Sequence, residues 1–561
     1  MLKSLFMNGK RTRFVNFLYL LMSFAAALPA VLVLGFSLVT RMEFRLYEEN
    51  DLYVILKDRT VLLILFALAI LLLILWRTGK SGLADRSGAG KNSALMTASI
   101  LFAAAYSLFL IFLLRGLPTN DANTLNTIIN AFSRGDFSEL TQKGSYMDVY
   151  PFQIGYVLCG QILHRIFGEN RFLPYTLLNT ASIAVCVRLL QKMTREISGS
   201  RRAERLAAAL SFGMLAFYTY APNIYNDIWS MAPQFGAVYL EIRYLKSGKT
   251  KDILLSGILL AAAVLIKQNC LITLVAMELI LAARLVSGQG DVPEKAEESE
   301  KPADPEKTEE PEAPAAPGAA NGAGKWKAPV RTLLLMLFLA AAVKLAGSAV
   351  GTAYARAAGL ESFPEGMPKT THIAMGLDEA EGKYGWYDGL NVRLYKENGC
   401  DKDAADAAAK EFIVERLKYF ARNPKYGVKF FLYKFLSQWG DPTCASMRNL
   451  EETSRHVELQ PALETSIIYG TGRTILHWIM NVMHTLIYLG LCLYLVQVLK
   501  KGRMSHGAAL IIMMIIGGML FHEIWEASSR YVLRYYVLML VPAACGLDEL
   551  GDLIHRNGKP K

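Results

Sequence analysis

The chain has 561 residues, 53% of them hydrophobic, with a mean hydropathy of +0.26, which is too apolar for a soluble multidomain protein and points to a polytopic membrane protein. Lys and Arg number 60 against 49 Asp and Glu, a formal charge of +11, yet they gather in short loops beside apolar runs, as orientation signals rather than a nucleic-acid surface. The cysteines at 159, 186, 270, 400, 444, 492 and 545 form no CxxC pair and no Cys/His cluster of zinc spacing.

Taken in order, apolar segments able to span lie at about 15–39, 60–76, 94–114, 172–193, 205–222, 229–245, 253–266, 270–286, 330–350, 474–498, 507–522 and 531–548. Within a bilayer only helices satisfy every backbone group inside the segment, so the expected fold class is an all-α polytopic membrane protein of about 12 transmembrane helices. The basic start resembles a signal peptide, but its apolar run continues to Val39 and is read as an uncleaved first helix. Basic residues before the first span (Lys10, Arg11, Arg13), after the second (Arg77, Lys80, Arg86), and between the fourth and fifth (Arg195, Arg201, Arg202, Arg205) share one side if both termini are cytoplasmic. Counting 152–168 as a span would break that rule, and Gln153, Gln161, His164 and Arg165 also oppose full burial. An interfacial or re-entrant helix of the first outer loop is expected there.

The Pro-, Glu- and Ala-rich stretch 287–328 has no apolar periodicity and reads as a disordered cytoplasmic linker. The polar region 351–472 falls outside and is large enough for a cap between the ninth and tenth spans. Within it, 401–424 has the spacing of an amphipathic helix that starts at Asp401 and stops before Pro424. Residues 427–442 suit a helix on the bilayer surface with snorkelling lysines. The resulting domains are an N-terminal helical hairpin (1–93), a transmembrane core (94–286), the linker (287–328), a further span (329–350), the extracytoplasmic domain (351–472) and C-terminal helices with a basic tail (473–561). Cys400 and Cys444 share that outer domain and could pair or remain two unrelated thiols.

Acids beside membrane helices are costly to desolvate and mark function. Asp121 follows the third span within the polar stretch 117–153, which also carries Asp136 and Asp148; Asp227 sits in the outer turn APNIYNDIWSMAP. Two carboxylates from separate outer turns at one cleft suit deprotonation of an acceptor hydroxyl, although each also stands where a helix N-cap would. Lys267 in VLIKQNCLI and Arg530 in EIWEASSRYVLRYY are cations placed for a lipid phosphate, or for interfacial snorkelling; Glu523 and Glu526 could pair with Arg530. No P-loop, dinucleotide fingerprint or HExxH occurs.

The order of Asp121, AFSRGDFSEL (131–140), YMDVYPFQIGYVL (146–158), IFGEN (166–170), RRAERLAAAL (201–210), YNDIWS (225–230) and VLIKQN (264–269) resembles the bacterial GT-C glycosyltransferases, in the branch related to protein O-mannosyltransferases. TTHIAMGLDEAEGKYGWYD (370–388), FFLYKFLSQWGDPT (430–443) and EASSRYVLRYYV (526–537) extend the likeness over roughly 95–548. The resemblance implies transfer of one sugar, with inversion, from a polyprenyl-phosphate carrier to an acceptor (protein, lipid or glycan) outside the plasma membrane of a bacterial cell. It implies Asp121 as catalytic base, Asp227 as the acid of the second loop, and Lys267 and Arg530 facing the carrier phosphate. Tyr150 and Gln153 match the start of the interfacial helix, His372 and Trp439 matching outer-loop motifs; Asp148 departs from the pattern. One Asp per turn without a DxD pair implies no obligatory metal, a divalent ion remaining compatible. Other classes are a lipid-linked saccharide transporter, which calls for ionisable residues deep within helices and an internal repeat, and a non-catalytic envelope assembly protein.

Overall fold

The computed structural model describes residues 2–47, 50–80, 89–288, 323–380, 382–455 and 462–557. The linker read over 287–328 falls mostly outside these residues, as does the end of the basic tail.

Helix α1 (Leu2–Val39) leads into an antiparallel hairpin, β1 (Thr40–Tyr47) with β2 (Asn50–Lys57), and back through α2 (Val61–Lys80) and α3 (Ala89–Leu114). The N-terminal unit is therefore not helical throughout. The alternation Met42, Phe44 and Leu46 gives β1 one apolar face, and Phe44 stacks on Trp386 at 4.1 Å. The outer loop that follows folds into α4 (Asp121–Ser133), the short α5 (Ser138–Thr141) and α6 (Tyr146–Val149), and α7 (Ile154–Phe167). At 14 residues α7 is too short to cross, in keeping with an interfacial helix. It lies against α4 and against the later helix Thr250–Ile266, and Gly155 permits this, because a side chain there would overlap the Leu265 carbonyl.

The bundle continues with α8 (Leu173–Ser198), α9 (Arg201–Ser211), α10 (Leu215–Tyr218), α11 (Asn226–Ser247), α12 (Thr250–Ile266), α13 (Leu271–Ser287) and α14 (Ala323–Ala357). The single span expected at 205–222 is broken between α9 and α10. A Cβ at Gly213 would meet the Met483 Sδ, so the turn is where a later helix presses in, and Tyr218 Oη donates to the Ser211 carbonyl freed by the break.

The outer domain contains α15 (Lys369–Gly376), the two-residue strands β3 (Glu379–Ala380) and β4 (Lys383–Tyr384), α16 (Leu390–Glu397), α17 (Lys402–Arg422), α18 (Pro424–Trp439), α19 (Ser446–Ser454) and α20 (Ala462–Tyr469). Helix α17 begins as expected, the Asp401 carboxylate accepting from the Ala404 amide at 2.8 Å. Helix α18 does not float on a surface. Its C-terminal half is buried, and Lys434, expected to snorkel, donates to the carbonyls of Gly376, Glu523 (3.0 Å) and Trp525 (2.8 Å). Burial pushes the Lys434 ammonium down to about 8. Cys400 and Cys444 are free thiols, the latter buried in the core.

Three helices close the chain: α21 (Thr471–Lys501), α22 (His506–Ile524) and α23 (Ser529–Asn557). Among the described residues 7 helices are long and apolar enough to cross a membrane, with a shorter apolar one at Val61–Leu73, so the class is all-α and multi-pass while the count of twelve is not reached by this measure. The main apolar core runs through α1, α8, α11, α13, α21, α22 and α23. At one end Arg202 pairs with Asp548 and Asp552, and Lys501 with Glu549 at 2.7 Å, where the basic loops were expected together. At the other, the hairpin, the first outer loop, the α10–α11 turn and the outer domain surround one cavity.

Candidate active site

That cavity measures about 1350 Å³ and is lined by Asp121, Tyr150, Gln153, Lys267, His372 and Arg530 among others. The contributing positions are hundreds of residues apart in sequence.

Asp121 is the first residue of α4, exposed to the cavity, and its side chain does not cap the helix; the N-cap is Asn120. Asp227 likewise is an early residue of α11, whose N-cap is Tyr225 with no side-chain capping bond. The capping explanation of both acids is therefore replaced by tertiary contacts. Tyr225 Oη donates to Asp121 Oδ2 at 3.4 Å and accepts from Gln153 Nε2 at 2.7 Å. Asn226 Nδ2 donates to Gln153 Oε1 at 2.8 Å, and Lys267 Nζ donates to Asn226 Oδ1 at 3.1 Å. Lys267 then pairs with Asp227 at 2.6 Å, while Arg530 Nε lies 3.8 Å from the other Asp227 oxygen. One polar chain thus runs from Asp121 to Arg530.

The two carboxylates play different parts in it. Asp227 is 3% exposed and does not line the cavity; it sits beneath the cations. Burial alone would push its carboxyl up, but Lys267 and Arg530 outweigh that and hold it below the usual carboxylate range. Burial, with Arg534 and Arg530 nearby, pulls the Lys267 ammonium down despite Asp227. Three cations, Lys267, Arg530 and Arg534, surround Asp227, with Asp121 and Glu526 the other acids in range, which leaves one net positive charge for an anion to meet when Glu526 is protonated. The Arg530 Nε is buried with no acceptor at hydrogen-bond distance. Its guanidinium and the Lys267 ammonium both lie over the rings of Tyr225 and Tyr531, at 5.1 to 5.7 Å. Neither Glu523 nor Glu526 is the ion-pair partner of Arg530 among the described residues; Asp227 is.

Beyond the cations the lining turns apolar, with Val264 and Leu265 of α12 and Val343 and Gly347 of α14. Around Asp121 it is aromatic, with Tyr146, Tyr150 and Tyr387. Burial, then the adjacent Asp121 carboxylate, push the Tyr146 and Tyr225 phenols up, so both remain protonated donors beside that acid. His372 stacks on Trp525 at 4.7 Å, and burial pushes it down to about 4, leaving it neutral. Glu526 also lines the cavity; burial pushes its carboxyl up to about 7 despite the hydrogen bond it accepts from Tyr531 Oη at 3.0 Å.

Two expected contacts lie elsewhere. Asp148 is buried, accepting from the Gly144 amide at 2.8 Å and from Tyr395 Oη at 3.2 Å, so it fastens the first outer loop to α16. Trp439 is 1% exposed and packs against Phe435 and Tyr535 in the core, away from the cavity lining. Sequence reasoning missed Tyr225, Asn226 and Tyr146 as members of the site, although the first two flank Asp227 in the motif that drew attention to it. Among the described residues no three His, Cys, Asp or Glu side chains are grouped to hold a metal.

The fold and the site together define a multi-pass membrane protein with a carboxylate and a cation pair facing one cavity at the end of its helical bundle. Residues 151–288 match the family described as dolichyl-phosphate-mannose-protein mannosyltransferase, a segment that contains Gln153, Asp227 and Lys267 but neither Asp121 nor Arg530. The expected likeness to the protein O-mannosyltransferase branch of the GT-C glycosyltransferases holds for this segment. No curated protein matches the sequence. Among solved structures, the archaeal oligosaccharyltransferase AglB from Archaeoglobus fulgidus, in complex with an inhibitory peptide and a dolichol-phosphate, aligns over 83% of this chain and 52% of its own at 14% identity, with a TM-score of 0.37. The chain thus spans about half the length of that enzyme.

Proposed function

We propose that the protein is a membrane glycosyltransferase that moves one sugar from a polyprenyl-phosphate carrier to an acceptor hydroxyl outside the membrane, with inversion. The observation that carries this reading is the polar chain from Asp121 to Lys267 and Arg530 around one cavity whose lining continues onto apolar residues of α12 and α14.

Asp121 accepts the proton of the acceptor hydroxyl as its oxygen attacks the anomeric carbon. The bond from that carbon to the phosphate oxygen breaks, and the electron pair leaves with the phosphate. Lys267 and Arg530 stabilise the extra charge on the departing phosphate through charge-assisted hydrogen bonds, which strengthen in a site screened from water. Asp227 holds both cations in place. Gln153 and Asn226 fix the distance between the proton acceptor and the phosphate site. Tyr150 and His372 contact the sugar; Asp148 positions the loop that carries Asp121. No step requires a metal.

The acceptor is extracytoplasmic and both termini are cytoplasmic in this reading, since the cavity lies at the end opposite the basic loops. A lipid-linked saccharide transporter finds one point of support in Glu241 of α11, fully buried with both carboxylate oxygens lacking a hydrogen-bond partner. It lies about two turns from the end of α11 remote from Asp227, however, rather than midway, where transporters hold their cargo.

The test is transfer of a radiolabelled hexose from polyprenyl phosphate by the purified chain in proteoliposomes, followed with Asp121→Asn. Release of polyprenyl phosphate together with label on an acceptor fraction, both absent in the variant, supports the reading. Label that merely crosses the bilayer still attached to lipid supports transport instead.

A further inference from the structure

Lys267, Arg530 and the apolar residues beside them account for a lipid phosphate, but not for the remaining cations of the same cavity. Lys369 at the start of α15, Lys383 in β4 and Lys396 in α16 line it from three separate elements of the outer domain. None of the three has an ion-pair partner among the described residues. The other rim charges are matched: Arg448 pairs with Glu452, and Glu365 with Lys402. Among the described residues only Asp121 and Glu526 remain as acids of the lining without a cation bound to them in an ion pair, and burial favours the neutral form of Glu526.

The cavity also exceeds what a carrier phosphate and one sugar fill. At about 1350 Å³ it is larger than the roughly 300–1,000 Å³ usual for a small-molecule site. Three ammonium groups without carboxylate partners in the lining of one cavity give it a positive potential that a polyanion lowers. Each is a compact, strongly hydrated point charge on a flexible stem, which suits several phosphates in a row better than a single fixed carboxylate. Tyr146, Tyr150 and Tyr387, in the lining around Asp121, supply flat faces for sugar rings or the alkyl spacers between phosphates.

We propose that the acceptor is a polyanion bearing at least two phosphate groups, a phosphodiester-linked envelope glycan or a phosphorylated glycolipid, and that Lys369, Lys383 and Lys396 hold its phosphates beside Asp121. This rests on the glycosyltransferase reading for the identity of the site. It assigns the outer domain a role in choosing the acceptor, separate from the donor phosphate.

The experiment uses the full chain in phosphatidylcholine nanodiscs and a fluorescent decamer of 1,3-glycerol phosphate, read by anisotropy. Wild type is expected to bind the decamer, with affinity falling as NaCl rises from 50 to 200 mM. The combined Lys369→Gln, Lys383→Gln and Lys396→Gln variant is expected to bind it about tenfold more weakly or worse, and the corresponding triple Arg variant to retain binding. Stronger competition by a soluble short-chain glycolipid bearing two phosphates than by unlabelled glycerol phosphate oligomers points to the lipid source of the same chemistry; the reverse points to the polymer. Equal binding of the decamer by wild type and the Gln variant overturns the proposal, as does equal binding of a neutral dextran or a Ser/Thr peptide by wild type. Thermal protection by undecaprenyl phosphate is measured in parallel. Its loss in Lys267→Gln with the decamer unaffected separates the two sites, and its absence in wild type defeats the donor reading without touching the lysines.

Discussion

The strongest expectation concerns Asp227→Asn, which keeps shape and removes one buried charge. Asp227 is 3% exposed, bonded to Lys267 at 2.6 Å and 3.8 Å from Arg530, and it does not cap α11. Breaking a buried pair from one side costs about 3–5 kcal/mol, because the partner stays buried and uncompensated. Had the residue been an N-cap, Asn would serve almost equally well and the loss would be under about 1 kcal/mol. The two explanations therefore separate on a single measurement, denaturant unfolding in detergent followed by tryptophan fluorescence. A lipid phosphate brings its own negative charge to the same cations, so at one fixed concentration undecaprenyl phosphate should bind the variant more tightly than wild type and narrow the deficit; a form held at a hundred times its own Kd gains about 2.7 kcal/mol. The pH dependence has a fixed sign. A carboxyl held below its ordinary value contributes stability above pH about 4, and loses it as pH falls through its folded pKa. Wild type and variant should thus converge in acid and diverge towards neutrality. A variant within about 1 kcal/mol of wild type at pH 7, indifferent to the lipid, would falsify the view that Asp227 is the counter-ion of the phosphate site.

Asp121→Asn should lower transfer by at least about a hundredfold, the usual scale for a general base, while leaving the unfolding midpoint unchanged because the side chain is exposed; a full transfer rate removes it from the mechanism. Arg530→Lys keeps the charge but loses the planar fork, so it should raise the donor KM more than it alters acceptor dependence, as read by initial rates at varied concentrations of each. Glu526→Gln should flatten the pH profile of stability: a carboxyl raised to about 7 beside Tyr531, Arg530, Asp121 and Lys267 contributes most below pH about 4.3 and loses that contribution as pH rises through 7. Unfolding at pH 5 and pH 8 reads this, and an unchanged difference between them refutes it. Transfer should survive EDTA, measured before and after exchange into metal-free buffer; loss of activity restored by a divalent ion would require a metal step.

Much of this molecule was legible from its sequence, for a physical reason. An apolar run in a bilayer has one permitted backbone, so most of the helices follow from local composition. The capped start of α17 at Asp401 is local in the same sense. The break between α9 and α10 is not: it depends on Met483, far along the chain, leaving no room at Gly213. The same holds for Lys434, whose fate as a buried donor to three carbonyls depends on α15 and α22, and for Trp439, whose ring meets the core rather than a substrate. The acids and cations could be picked out singly because ionisable groups beside membrane helices are expensive. Which of them share a cavity, and that Asp121 faces it while Asp227 lies beneath its cations, was decided only by packing, since Coulomb energy depends on distance in space and position in sequence carries no record of it.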